Sequence, residues 1–380
     1  MGIDFSLLWN KSHCKLSDNR IYSLLAITFT LSFLSTVVVA NQTPSQKKGQ
    51  VAISHVKSVQ SDKLQNHVLQ SRDSLFAISR LTSESFLLVG NTGLAAIASN
   101  ERVVNKLKLP TSINLLSAHT TQSAHVLVGG EQGRLFISDK SIKQWKTLNL
   151  DTEEAIFDFI ESPTREVFLT GTYGLLMVSK PPYAEWKSIQ LPWATFLKSA
   201  WDDFGEADPH LYSGCQNELG EMLVVGEFGL VLKRGLDGVW QKIHGGSVEP
   251  AIYSCVISPD GQEIVVVGQK GLSLSTSDGG VTWIKSEISS DADLYKIQKF
   301  NGGSIIIGDH RALHVSLNDS DWFCLRFTRD MPLGWFVDAV IADKRVVIVG
   351  SNGGFKSTTL KSITKAANEI KESGEFVSCE

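Results

Sequence analysis

IVVVGQKGLSLSTSDGGVTW, running from Ile264 to Trp283, contains two strands, two tight turns and a repeat signature. Ile264, Val265, Val266 and Val267 form a β-branched run stopped by Gly268, the pattern of a strand buried on both faces. A turn follows at Gln269 and Lys270. Gly271 then restarts an alternating run, with Leu272, Leu274 and Thr276 set against Ser273 and Ser275, which reads as a strand with one face in a core. The closing segment matches Ser-x-Asp-x-Gly-x-Thr-Trp through Thr276, Asp278, Gly280 and Trp283. An Asp carboxylate in such a turn accepts backbone N–H groups, glycine tolerates positive φ, and Trp covers the turn, so these four residues read as structural.

The same skeleton recurs along the chain. Apolar strands end in glycine at Gly90, Gly129, Gly171, Gly226, Gly268, Gly308 and Gly350, at intervals of 39, 42, 55, 42, 40 and 42 residues. Seven copies at that period predict an all-β chain, a seven-bladed β-propeller of four-stranded antiparallel blades. Trp145, Trp186, Trp240 and Trp283 each fall seven residues after Ser138, Ser179, Lys233 and Thr276, so the frame of the turn persists where its Asp is gone. Helical solenoids need a 3.6-residue apolar period, which these segments lack.

The seven VG-x-x-G-type repeats and the TSDGGVTW box resemble the BNR (Asp-box) propellers of the photosystem II stability/assembly factor family, over roughly residues 70 to 360. The resemblance implies a non-enzymatic assembly role. A protein partner, either a membrane complex or a transporter, bound through one face of a monomeric propeller, is the expectation, with no cofactor. Asp-box propellers of the sialidase type are the alternative, as glycan binders or glycosidases. Those enzymes hold a carboxylate with three arginines. Here Arg134, Arg165, Arg234, Arg311 and Arg345 sit at different repeat positions.

Composition agrees with a large folded core. The 380 residues are 42% hydrophobic and 20% charged, with mean hydropathy near zero and net charge −4. A pI of about 6.2 gives no electrostatic case for nucleic acid. Residues 1–40 begin with Lys11, Lys15 and Arg20 and continue uncharged from Ile21 to Ala40. This is the pattern of a signal peptide cut before Asn41, or of an uncleaved anchor. Export to a periplasmic, lumenal or extracellular space is therefore expected. A polar linker at 41–50 would lead into a propeller spanning 51–360, with Val51 to Val59 supplying the missing strand of the last blade and closing the ring. Residues 361–380 read as a surface helix and tail, because Leu360, Ile363, Ala367 and Ile370 fall at helical spacing.

Cys215 and Cys255 lie in matching contexts, LYSGC and IYSC, on the first strands of adjacent blades. Inner strands of neighbouring blades are often too far apart to bridge, so two buried thiols are expected rather than a disulfide. No Cys/His spacing resembles a zinc site, and none of the nucleophile-elbow, P-loop or zincin motifs occurs.

A binding surface is expected on the face formed by the turns between strands 2 and 3 and by the blade-to-blade connections. Those turns carry Tyr173 and Phe228, whose exposure at a tip has a cost unless covered, and the trio Asp309, His310 and Arg311. The long 55-residue interval places an insertion at about 192–209 on the same face. It brings Trp193, Trp201, Asp202, Asp203 and Phe204 as partner-binding candidates, with a loop that plugs the pore, or a poorly spaced calcium loop, as alternatives.

Overall fold

The computed structural model describes residues 69–373, apart from positions 101, 207, 248, 287, 289, 319, 320 and 326–333. Seven antiparallel sheets follow one another along the chain, with inner strands Leu75–Arg80, Leu115–Thr120, Ile156–Glu161, Leu211–Gln216, Ile252–Ile257, Leu294–Phe300 and Phe336–Ala342. Six sheets are four-stranded meanders, and the seventh has three strands among the described residues. This is the seven-bladed propeller.

The glycine-ended strands are the second strand of each blade. Ile264–Gly268 is buried along its whole length, because one side of the pleat packs on the preceding blade and the other on the following one. That two-sided burial explains an apolar run without alternation. Gly268 itself has φ −170, an ordinary extended value. It is glycine because a Cβ there would lie 2.0 Å from the carbonyl oxygen of Ala251, just before the inner strand. The turn that follows is different. Its second residue is left-handed in all seven blades (Thr92, Gln132, Tyr173, Phe228, Lys270, His310, Asn352), and its third is a positive-φ glycine in six. These are type I′ hairpins. The exception is Arg311, which holds φ 53 without glycine's freedom.

Each inner strand carries a bulge at its second residue, where the pairing with the second strand shifts by one. The bulge places Phe76, Leu116, Phe157, Tyr212, Tyr253, Tyr295 and Val337 at one level, on the face of the I′ turns.

The ring closes where the first blade packs on the seventh: Leu75, Ile78 and Phe86 share a core with Val347, Val349 and Phe355. The closing strand expected at Val51 to Val59 lies outside the described residues, as do the leader and linker. The C-terminal helix α3 (Leu360–Ser373) is more than a surface element. Ile363, Ala367 and Ile370 are buried against Leu313, Val315 and Leu325 of blade six and Val346 and Ile348 of blade seven.

The insertion forms two short helices, α1 (Trp193–Phe196) and α2 (Lys198–Phe204). Trp193, Phe196 and Leu197 are buried with Leu211, Leu230 and Phe168, so the insertion seals the seam between blades three and four. It is anchored by Lys242 Nζ, which donates to the Phe196 carbonyl at 2.7 Å.

Cys215 and Cys255 form a disulfide, which corrects the expectation of two thiols. Inner strands converge on the propeller axis, and here their Cα atoms come within 5.8 Å, inside bridging range.

Candidate functional site

The bulged residues of blades three to six build an aromatic arc at one mouth of the central channel. The Phe157 ring stacks on Tyr212 at 5.7 Å, Tyr212 meets Tyr253 edge-on at 5.0 Å, and Tyr253 meets Tyr295 at 5.6 Å. His210 continues the arc outward, 6.2 Å from Tyr212 and 4.8 Å from Tyr173. The rings of Phe157, Tyr212, Tyr253 and Tyr295 are half-buried, and Tyr173 is 44% exposed.

Carboxylates line this arc. Tyr295 donates its hydroxyl to Asp309 at 3.1 Å, Tyr212 to Glu227 and Tyr253 to Asp293. Burial, then the neighbouring carboxylates, pushes all three phenols well above their ordinary range. Burial likewise raises the Asp293 and Asp309 carboxyls, and the Asp293 charge adds to the rise at Asp309. Local backbone geometry fixes these acids. Asp293 accepts the N–H of Lys270 at 2.9 Å, as Asn114 accepts that of Thr92 at 3.0 Å in the equivalent hairpin of blade one. Glu227 accepts the N–H of His210 at 2.8 Å.

One residue deeper, the inner strands tie the blades together. Asp158 accepts the N–H of Gly214 at 3.1 Å, and Asp338 accepts that of Ile78 at 3.0 Å. Ser254 accepts that of Ile297 at 3.3 Å. Lys296 crosses to Asp338 at 3.4 Å and also feels Asp158. Burial works against its charge, but the two carboxylates more than offset it, so the ammonium is held charged. The side chains of Lys296 and Asp338 keep 23% and 16% exposure.

Several residues singled out from sequence lie elsewhere. Trp193 is 9% exposed and packs in the seam between blades three and four. Arg311 is 6% exposed, with Nη2 donating to the Ser351 carbonyl and the guanidinium over the Phe336 ring. Its expected place in an exposed charged trio is therefore corrected. Trp201 and Phe228 are partly buried against the core beneath the insertion. Asp202 and Asp203 are exposed, Asp202 pairing with Lys198 at 3.0 Å, and Phe204 ends α2. His310 is exposed at its turn. Tyr173, with Trp193 and Asp208, borders a groove of about 220 Å³ that also takes in Asp151 and Glu154. The three mouth tyrosines lie outside the sequence-based candidates, although LYSGC, IYSC and LYKIQ all carry Tyr right after the strand's first apolar residue.

The Asp box lies on the opposite face, in the turn between strands 3 and 4. Asp278 accepts the N–H of Val281 at 3.0 Å and of Thr282 at 2.9 Å, and the hydroxyls of Thr276 and Thr282 at 2.6 Å each. These bonds hold its carboxyl far below the usual range. Trp283 donates from Nε1 to the Gly280 carbonyl at 3.1 Å. The arginines are dispersed: Arg134 bonds Asn149, Arg234 lies over Phe168 and Arg345 bonds Ser357. Among the described residues, no group of three or more His, Cys, Asp or Glu is placed to hold a metal ion. No helix among them is long and apolar enough to cross a membrane.

No family model and no curated protein matches the chain. Solved structures do match, and by fold. The structure of YCF48 bound to D1 peptide superposes with a TM-score of 0.60 at 13% identity, over 80% of this chain and 98% of that one. YCF48 from Cyanidioschyzon merolae gives 0.62 at 13% identity, over 77% and 97%. A catalytically inactive virginiamycin B lyase from Staphylococcus aureus with quinupristin gives 0.64 at 8% identity, over 77% and 97%. At these identities the chain shares with them the propeller fold, the one that is bound to D1 peptide in the YCF48 structure and is seen with quinupristin in the lyase structure.

Proposed function

We propose that this chain is an exported, non-enzymatic propeller scaffold that holds a peptide segment of a protein partner, in a membrane complex under assembly, across the mouth formed by Tyr173, His210, Tyr212, Tyr253 and Tyr295. The observation that carries this reading is the arc itself. Four inner strands of different blades present half-buried rings at one level, beside carboxylates whose burial is a cost to the free protein. Rigid aromatic platforms with a polar rim are what protein interfaces use as anchors. The fold's use in YCF48 bound to D1 peptide agrees with a peptide ligand. The Cys215–Cys255 bond agrees with an oxidising compartment.

The test is co-purification from the exported fraction of the native cell. Tyr212→Ser with Tyr253→Ser should lose the partner while keeping the melting temperature within a few degrees. Val281→Ser, at an 82% exposed site on the Asp-box face, should keep it. Retention of the partner by the tyrosine variant would sink this reading. Glycans also stack on half-exposed rings, and a glycan ligand is the second reading. It predicts glycan-array binding lost with the same two tyrosines and no protein recovered.

A further inference from the structure

The groove beside Tyr173 adjoins the mouth but differs from it in composition. Its volume is about 220 Å³. Pockets for drug-sized ligands start at roughly 300 Å³, so the groove has room for one long side chain rather than for a cofactor. Its acidic and aromatic groups come from three elements. Asp151 and Glu154 lie on the connection between blades two and three, Tyr173 on the I′ hairpin of blade three, and Trp193 and Asp208 on the insertion. Main-chain bonds hold these elements together: the Thr172 N–H donates to the Ala155 carbonyl at 3.1 Å and the Gly174 N–H to the Pro209 carbonyl at 2.8 Å. The Tyr173 N–H donates to His210 Nδ1 at 3.1 Å, and the two rings touch, so the groove and the aromatic arc share one boundary.

The charge on these walls has one sign. Asp151, Glu154 and Asp208 border the groove, and among the described residues no Lys, Arg or His does. Glu154 is positioned by the Thr172 hydroxyl, which donates to its Oε2. Carboxylates gathered in a recess focus a negative potential that draws a cation. Trp193 adds a donor. The residue is only 9% exposed, yet its ring lines the groove, and its Nε1–H has no acceptor among the described residues. A Cβ on Gly174 would fall 2.8 Å from that Nε1 and 3.2 Å from Asp208 Cβ, so the indole N–H edge, the hairpin and Asp208 meet at one end of the groove. A buried indole usually finds a partner for its N–H. A donor beside carboxylates calls for a ligand that carries an acceptor as well as a positive charge. A lysine or arginine residue within a peptide has both: a charged head for the carboxylates and for the exposed Tyr173 ring, and a main-chain carbonyl for Trp193.

We propose that this groove is a subsite for one lysine or arginine side chain of the partner peptide, its charged head set against Asp151, Glu154 and Asp208 and its main chain accepting the Trp193 Nε1–H. The subsite rests on the reading of the mouth as a peptide platform and adds the charge that the peptide carries beside Tyr173. The probes are the N-acetyl amides of arginine, lysine and citrulline, the last an uncharged isostere of arginine. The readout is the Trp193 indole N–H resonance, assigned by its loss in Trp193→Phe. Wild type should show a saturable shift with the arginine or the lysine amide and none with the citrulline amide. Asp151→Asn with Asp208→Asn, both at exposed positions, should fold, bind the basic amide several-fold more weakly, and recover several-fold less partner from the exported fraction. No saturable shift with either basic amide, an equal shift with the citrulline amide, or unchanged affinity in the carboxamide variant overturns the proposal. Full recovery of the partner by the carboxamide variant, with loss in Tyr212→Ser and Tyr253→Ser, overturns the groove and leaves the mouth standing. Recovery by the tyrosine variant with loss in the carboxamide variant supports the groove and removes the mouth.

Discussion

Replacing Cys215 and Cys255 together with alanine removes the one covalent tie between the inner strands of blades four and five. The bond spans a sequence separation of 40 residues. For a loop of that length, the entropy a cross-link takes from the unfolded chain corresponds to roughly 4 kcal/mol at 25 °C. At about 2.1 cal/mol/K per residue, a folded body of roughly 300 residues has an unfolding entropy near 0.6 kcal/mol/K, so the loss converts to a fall of about 6 °C. The assay is calorimetric melting of the double variant beside the wild type. Reductant alone is a poor substitute, because Cys324 is also disulfide-bonded. A double variant melting within about 1 °C of wild type would refute the reasoning, since it would mean that the unfolded chain gains no freedom when the bond is gone.

Two further outcomes follow from the fold. Asp278→Asn should lower the melting temperature at neutral pH. The folded carboxyl is held below its unfolded value of 3.8, so its contribution is present above that pH and lost as pH falls through the folded value. The gap between variant and wild type should therefore narrow in acid melts, and a gap that widened would contradict the assignment. Ile363→Ala on α3 should cost about 2–5 kcal/mol by denaturant unfolding, because the side chain is fully buried where blades six and seven meet. A cost below about 1 kcal/mol would return α3 to a surface role.

The blades were legible because close approach and turn geometry both demand glycine at fixed places. Gly268 and Gly271 mark the two ends of one hairpin for two different physical reasons. The mouth was less legible. A bulge breaks the two-residue alternation of a strand, so Tyr212, Tyr253 and Tyr295 read as ordinary strand residues although their contexts repeat. The insertion carries a helical signal in its sequence. Trp193, Phe196, Leu197 and Ala200 fall at i, i+3, i+4 and i+7, the stripe of a helix with one buried face, and those four are the residues the fold buries. Arg311 was legible in the same way, as the one hairpin reading G-x-x-R where the others read G-x-x-G. The disulfide is not legible in the sequence, which gives blade adjacency but not how far the inner strands converge near the axis.

Site-specific photocrosslinking tests the central claim most directly. A benzophenone amino acid at Tyr253, in the arc, and separately at Val281, on the opposite face and 82% exposed, would be irradiated in the native cell. The account predicts a discrete protein adduct from position 253 and none from 281. An adduct from 281 alone, or from neither position, would contradict it.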